Sequence, residues 1–341
     1  MKPKTIQSLL VAALLAPGAL YAQTSSTTTP VGYITHDIAG AGANPSASTI
    51  IAPTLVRAAD FAGTSTVTPS GGAVITFAGG VPTDLSGASV LEITSGASEG
   101  WWSTIVSSTS TTITITDNFP DSLPASTAVS VRKHSTLESF LGFNAIGLST
   151  FNGSDPSDEV QVFDASTQTS ISYAFVSAED WGDLDNYPNG VWLNLVSSEP
   201  DNGKVILPGT AVLVKRIVSG GLSFVSSGTV KTTKTDIDIY EGSNLVGSTI
   251  AALGTLGSHN FASQIFQWDG SNTDYDEIQI LLSTQSTVPY ASIEDGGAVM
   301  WNIAASDYAN TQPFEAGTGV IFVRSENDAS TITLPGSTIT P

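Results

Sequence analysis

The chain has 341 residues, 11 Lys and Arg against 31 Asp and Glu, and no cysteine. The formal charge of −20, with basic residues only isolated or in pairs such as Arg132-Lys133 and Lys215-Arg216, excludes nucleic acid as a partner, because counterion release needs clustered cations. Disulfides, thiol nucleophiles and Cys-based metal sites are excluded outright, and a hydrophobic content of 40% organised into short runs is unlike a disordered chain.

In chain order, a short basic stretch (Met1 to Lys4) precedes an apolar run from Leu9 to Leu20, and Tyr21-Ala22 then supplies a small residue. This layout predicts a secretory signal over 1–22, cleaved after Ala22, because the run is too short to span a bilayer. The mature protein is therefore expected outside the cytoplasm, secreted or periplasmic, and without a transmembrane segment. Residues 23–30 are polar and unpatterned and read as a linker. From Val31 onward the chain is a series of β-type runs: Ala73 to Phe77, Val90 to Thr94, Thr111 to Thr116, Val129 to Val131, Val160 to Phe163, Ala211 to Lys215, Ile237 to Tyr240 and Gly319 to Arg324. Alternation, β-branched enrichment and regular Gly, Pro, Asn and Asp punctuation predict strands. Thr136 to Leu148 and Ser248 to Leu256 are the best helical candidates. The expected fold class is all-β, with antiparallel sandwich or barrel-like modules.

The strongest pattern is an internal repeat. Asp158-Glu159-Val160-Gln161-Val162 recurs 118 residues on as Asp276-Glu277-Ile278-Gln279-Ile280, and Ser166-Thr167-Gln168 recurs as Ser283-Thr284-Gln285. Thr136-Leu137 matches Thr255-Leu256, and Gly209 to Arg216 matches Gly317 to Arg324 at a spacing of 108. The change of spacing places an insertion near Glu179 to Gly190 of the first copy. Thr127 to Lys133 echoes one strand only. The expected organisation is an N-terminal β domain over 31–133 and β repeats over 134–235 and 236–341, the duplication occupying the C-terminal two-thirds. The recurring Arg216 and Arg324 read as charged strand ends at the surface, with an anion site as the competing reading.

With Pro30 to Thr35, Leu91 to Gly96, Gly100-Trp101-Trp102 and the twin Asp-Glu-[Val/Ile]-Gln and Gly-Thr blocks, the chain resembles an uncharacterised secreted β-rich family best known from verrucomicrobial genomes. That resemblance implies an exported protein without an assigned activity, and no catalytic residues come with it.

Chemistry is sparse. Gly96-Ala97-Ser98-Glu99-Gly100 fits the nucleophile-elbow spacing, but β runs on both sides favour a hairpin turn. His36, His134 and His259 each sit among polar residues with no second ligand at metal spacing, and each is expected to be exposed. Glu159 and Glu277 are expected on a solvent face, and no carboxylate pair stands out as the two-carboxylate set of a glycosidase. Asp183, Asp185, Asn186 and Asn189 offer closely spaced oxygen ligands for calcium, and a solvated acidic turn explains the same residues. Trp181 and Tyr187 on the insertion are the best aromatic pair for stacking on a sugar, whereas Trp192 and Trp301, inside β runs, read as core. The expectation is an exported, non-enzymatic structural or adhesive cell-surface protein without a cofactor. The alternatives are a carbohydrate-binding module, calcium-dependent or not, and a secreted glycan hydrolase. Glycans or other surface proteins are the expected partners.

Overall fold

A computed structural model describes residues 30–338, apart from 68–71, 121–122, 125, 144–145, 272–273, 296 and 327–328. The expected signal peptide and all but the last residue of the linker lie outside the described residues. The protein is nearly all β, with antiparallel pairing throughout the named strands. No described helix is long and apolar enough to cross a membrane.

Two six-stranded sheets have the same strand order. In the first, the order is Glu199–Pro200, Val191–Asn194, Thr169–Val176, Glu159–Asp164, Val212–Arg216 and Ala47–Ile51. In the second it is Asp307–Tyr308, Ala298–Asn302, Thr287–Glu294, Glu277–Leu281, Gly319–Arg324 and Gly242–Gly247. Each sheet has its own two-stranded ribbon, Val31–Ile38 with Leu222–Thr229 and Thr235–Ile239 with Ser330–Leu334. Ile38 and Phe224 of the first ribbon and Ile237 and Ile332 of the second close the two cores.

The pairing extends the duplication beyond the reach of the sequence match. Strands Val31–Ile38 and Ala47–Ile51, read from sequence as part of the N-terminal unit, are the topological counterparts of Thr235–Ile239 and Gly242–Gly247. The first copy is therefore discontinuous. Between Ala47–Ile51 and the helix Leu137–Leu141 it carries a closed barrel of six strands: Phe61–Val67, Val74–Phe77, Thr112–Ile115, Trp102–Ser108, Ser89–Ile93 and Ala128–Lys133. The barrel has its own core, including Ile75, Leu91, Ile105, Ile113 and Val131, all fully buried. Closure leaves it without free edges, so it can be inserted without disturbing the host pairing.

Of the two helical candidates, the first shrinks to Leu137–Leu141, and Ser248–Leu256 is not helical. The two copies nevertheless share one device. Thr136 accepts from the Ser139 amide at 3.1 Å while Ser139 Oγ accepts from the Thr136 amide at 2.8 Å, and Thr255 and Ser258 exchange the same pair at 3.1 and 2.7 Å. This is a capping box built with Ser in place of Glu, and it seats Leu137 and Leu256 in their cores.

A pseudo-twofold relation joins the copies. Gln168 and Gln285 hold equivalent hairpin turns at φ 53° and 67°, a left-handed conformation uncommon outside glycine. Gln168 crosses to the second copy and accepts from the Ser243 amide at 2.9 Å while donating to the Ser243 carbonyl at 2.9 Å. Gln285 crosses the other way, accepting from the Ser48 amide at 2.5 Å and donating to its carbonyl at 3.2 Å. Isolated bridges Ile51–Thr318 and Thr210–Val246 repeat the symmetry, and Leu213, Leu245, Ile321 and Ile50 pack between the sheets. This contact explains why Val212–Arg216 and Gly319–Arg324 are apolar on both faces.

The backbones approach most closely where alanine in the first copy meets glycine in the second. A Cβ on Gly247 would lie 2.5 Å from the Ala52 Cβ, and one on Gly319 would lie 2.6 Å from the Ala211 Cβ. Gly319→Ala is expected to lower stability by about 1–3 kcal/mol through overpacking. Urea denaturation checks it, and an unchanged midpoint would mean that the interface is looser than this spacing.

Candidate functional site

The insertion in the first copy is locally well formed. Ser177 caps the short helix Ala178–Trp181, its Oγ accepting from the Asp180 amide at 3.1 Å, and Gly182 ends it at φ 79°. Trp181 and Tyr187 come together with ring centroids 6.2 Å apart and perpendicular planes. Both are half-buried against Val176, Val191 and Leu193, so much of their surface anchors the loop. The Asp183 carboxylate accepts from Asn186 Nδ2 at 2.9 and 3.1 Å and from the Asn186 amide at 3.3 Å, the hydrogen bonding of an Asx turn. Asp185 and Asn189 are exposed, and no described hydrogen bond joins them to that pair. Among the described residues no three His, Asp or Glu are gathered in a geometry that could hold a metal ion.

The three histidines depart from expectation. His36, His134 and His259 are all buried, not exposed. His36 stacks on Phe224 at 4.6 Å and bonds the Gly317 carbonyl at 3.2 Å and Ser226 Oγ at 2.8 Å. His259 lies against Phe314 at 4.4 Å and bonds the Thr255 carbonyl at 2.8 Å and Ser248 Oγ at 3.0 Å. Nδ1–H donating to the carbonyl and a hydroxyl donating to Nε2 make each ring neutral. Burial pushes all three down to about 4.

Arg216 and Arg324 are buried as well, which corrects the surface reading of these strand ends. Arg216 Nη1 donates to Asp158 at 2.7 Å, and Arg324 Nη1 to Asp276 at 3.4 Å. The repeated Asp and the repeated Arg are thus partners. Trp192 is fully buried as expected, but Trp301 is only half-buried, on the opposite face of its strand, with its ring 5.3 Å from that of Tyr308. Glu159 is half-buried and paired with Lys215 at 3.6 Å. Gly96 and Gly100, at φ 87° and 106°, turn the chain between antiparallel strands, so Gly96 to Gly100 is a hairpin and not a nucleophile elbow.

A cleft and a cavity lie where the barrel docks on the duplicated body. Trp102 of the barrel donates to the Asp236 carbonyl at 2.7 Å, and the Asp236 amide donates to the Gly100 carbonyl at 3.0 Å. Beside this contact is a cleft of about 440 Å3. Trp102, Phe163 and Tyr240 supply half-buried aromatic surface to it, with Asp164, Asp238 and Lys204 as polar groups. Ser166 holds the Asp164 carboxylate at 2.6 Å and its pKa below the usual carboxylate range. Thr331 donates to Asp238 at 3.0 Å. Aromatic faces with a few fixed polar groups are the ordinary make-up of a small-molecule site.

Behind the cleft, and sharing Trp102, Leu207, Pro208 and Thr210 with it, is a cavity of about 50 Å3. Its lining includes Arg57, Arg132, Lys133 and Lys231, four of the chain's 11 basic residues, and one carboxylate, Glu92. Glu92 pairs with Lys231 and with Arg132, the latter at 3.4 Å. Neither the cleft nor the cavity was found from sequence, because each gathers residues from three or more distant segments. The only hints were the Arg132-Lys133 pair and the aromatic Tyr240 at the end of an alternating run.

Compared with known proteins, the chain matches no family model, no curated protein and no solved structure.

Proposed function

We propose that the chain is an exported, non-enzymatic adhesive β protein that binds glycans in the cleft between the inserted barrel and the duplicated body. The cleft carries this reading: Trp102, Phe163 and Tyr240 offer apolar ring faces, and Asp164, Asp238 and Lys204 offer acceptors and a donor for hydroxyls. The leader-like N-terminus supports export, as does the resemblance to secreted verrucomicrobial proteins. The three histidines, all buried and held well below their ordinary pKa, support a binding role over acid–base chemistry. Reciprocal glutamine clamps and a closed barrel give a rigid support, as a surface adhesin requires.

The test is a glycan array probed with the mature protein and with Phe163→Ala and Tyr240→Ala. Each variant is expected to bind about tenfold more weakly. Trp181→Ala and Tyr187→Ala should bind like the parent if the cleft is the site. Binding lost only in the latter pair would move the site to the insertion loop. No retained glycan, or sugar released by the protein, would overturn the proposal.

A further inference from the structure

Among the described residues, three buried side-chain polar atoms have no hydrogen-bond partner: Arg132 Nε, His134 Nδ1 and Thr235 Oγ1. All three residues line the same 50 Å3 cavity, although they come from the barrel and from the start of the second copy. His134 and Thr235 are 3% and 1% exposed, so bulk water does not reach them. Unpartnered buried polar groups are rare and costly, and three around one cavity point to an occupant.

The chemistry of the three atoms defines that occupant. Arg132 Nε–H is a donor only. Thr104 Oγ1 lies 3.2 Å from His134 Nε2, and a hydroxyl donating there leaves Nδ1–H as the free donor of a neutral ring. Thr235 Oγ1 adds a hydroxyl that can donate. Three donors without an acceptor call for an acceptor-rich ligand. The charges agree: four cations line the cavity against Glu92, with Glu99 and Asp236 the further acids acting on Lys231. A chain of charge −20 has thus placed a local cationic excess at one junction. A cavity of 50 Å3 admits a few waters or one ion of four or five heavy atoms.

We infer that the barrel–body junction is a binding site for a small oxyanion, tetrahedral phosphate or sulfate, held by Arg132 Nε–H, His134 Nδ1–H and the Thr235 hydroxyl. This goes beyond glycan binding and does not depend on it. The anion can be free, or it can be a sulfate or phosphate ester on a sugar entering from the adjoining cleft.

Isothermal titration of the intact mature protein at fixed ionic strength tests it, with inorganic sulfate, inorganic phosphate, a neutral monosaccharide and the same sugar sulfated. Saturable binding of an inorganic oxyanion, with chloride ineffective, is the expected result for a free ion. Binding of the sulfated sugar but not the neutral one or the free anions assigns the site to an ester. In both cases Thr235→Val, which keeps size and removes the hydroxyl, should weaken binding about tenfold or more while melting cooperatively. Arg132→Lys, which keeps the charge and loses the Nε donor, should do the same. Failure of every anionic probe to bind, or equal affinity in the folded Thr235→Val variant, overturns the site. If either of those results comes with retained binding of the neutral sugar, the glycan cleft stands and the anion site alone is removed.

Discussion

Asp158→Ala is expected to lower the stability of the protein by about 3–5 kcal/mol, a large share of the margin of an ordinary domain. Asp158 is fully buried and accepts from Arg216 Nη1 at 2.7 Å, the Ile217 amide at 2.8 Å and the Ser149 amide at 2.8 Å. Its removal leaves two amides and a buried guanidinium without their acceptor, and the cost is the desolvation of those groups, not the Coulomb energy of the pair. Among the described residues Arg216 then keeps its Nε bond to the Gly220 carbonyl, at 2.7 Å. The equivalent change in the second copy, Asp276→Ala, should cost less. Arg324 stands 3.4 Å from Asp276 but only 2.8 Å from Glu326, which is partly exposed and stays in place. Urea unfolding of both variants measures the difference. A loss below about 1 kcal/mol for Asp158→Ala, or a larger loss for Asp276→Ala, would contradict this account.

The same pair shows how far the sequence could be read. Asp158, Asp276, Arg216 and Arg324 all stand out as repeated residues, and Gln168 and Gln285 belong to the matched Ser-Thr-Gln segments. What one chain of letters does not carry is which repeated residue meets which. The two halves of the ion pair lie 58 and 48 residues apart, and each glutamine bonds the other copy. Val31–Ile38 was read only as the start of the N-terminal unit, because the barrel separates it from the rest of its copy and the match to its counterpart is just two residues long, Asp37-Ile38 against Asp238-Ile239. The expected insertion near Glu179 to Gly190 was visible as a change of spacing. The far larger insertion of the barrel was not, since it precedes the first strong match. The site was hidden for the same reason: its aromatic and cationic groups converge only once barrel and body have docked. Expecting exposed histidines failed because polar neighbours in sequence say nothing about partners such as Gly317, 281 residues from His36.

Acidification is expected to destabilise the protein steeply between pH 6.5 and 4, before most acid unfolding begins. All three histidines titrate near 6.5 when unfolded and are pushed down to about 4 by burial in the fold. Between these values the unfolded chain binds protons that the native state refuses, so stability rises with pH across that window and falls as pH drops through it. Above 6.5 neither state is protonated and the contribution is flat. Below 4 both are, and the loss is complete. At pH 5 each histidine is expected to withdraw about 2 kcal/mol, roughly 6 kcal/mol together, relative to pH 7.5. Urea denaturation at the two pH values tests the sum, and a total loss under about 2 kcal/mol would mean that the rings are solvated or paired with acids. His259→Gln isolates one of them. The amide retains hydrogen bonding to Ser248 and Thr255 but cannot take up the proton, so the pH-dependent part should shrink by about a third whatever the variant does to stability at pH 7.5. The location of the rings makes the consequence structural. His36 bridges the two copies through Gly317, His134 lines the barrel–body junction, and His259 sits in the core of the second copy. Acid therefore acts at once on one interior and on both contacts that make barrel, first copy and second copy a single body.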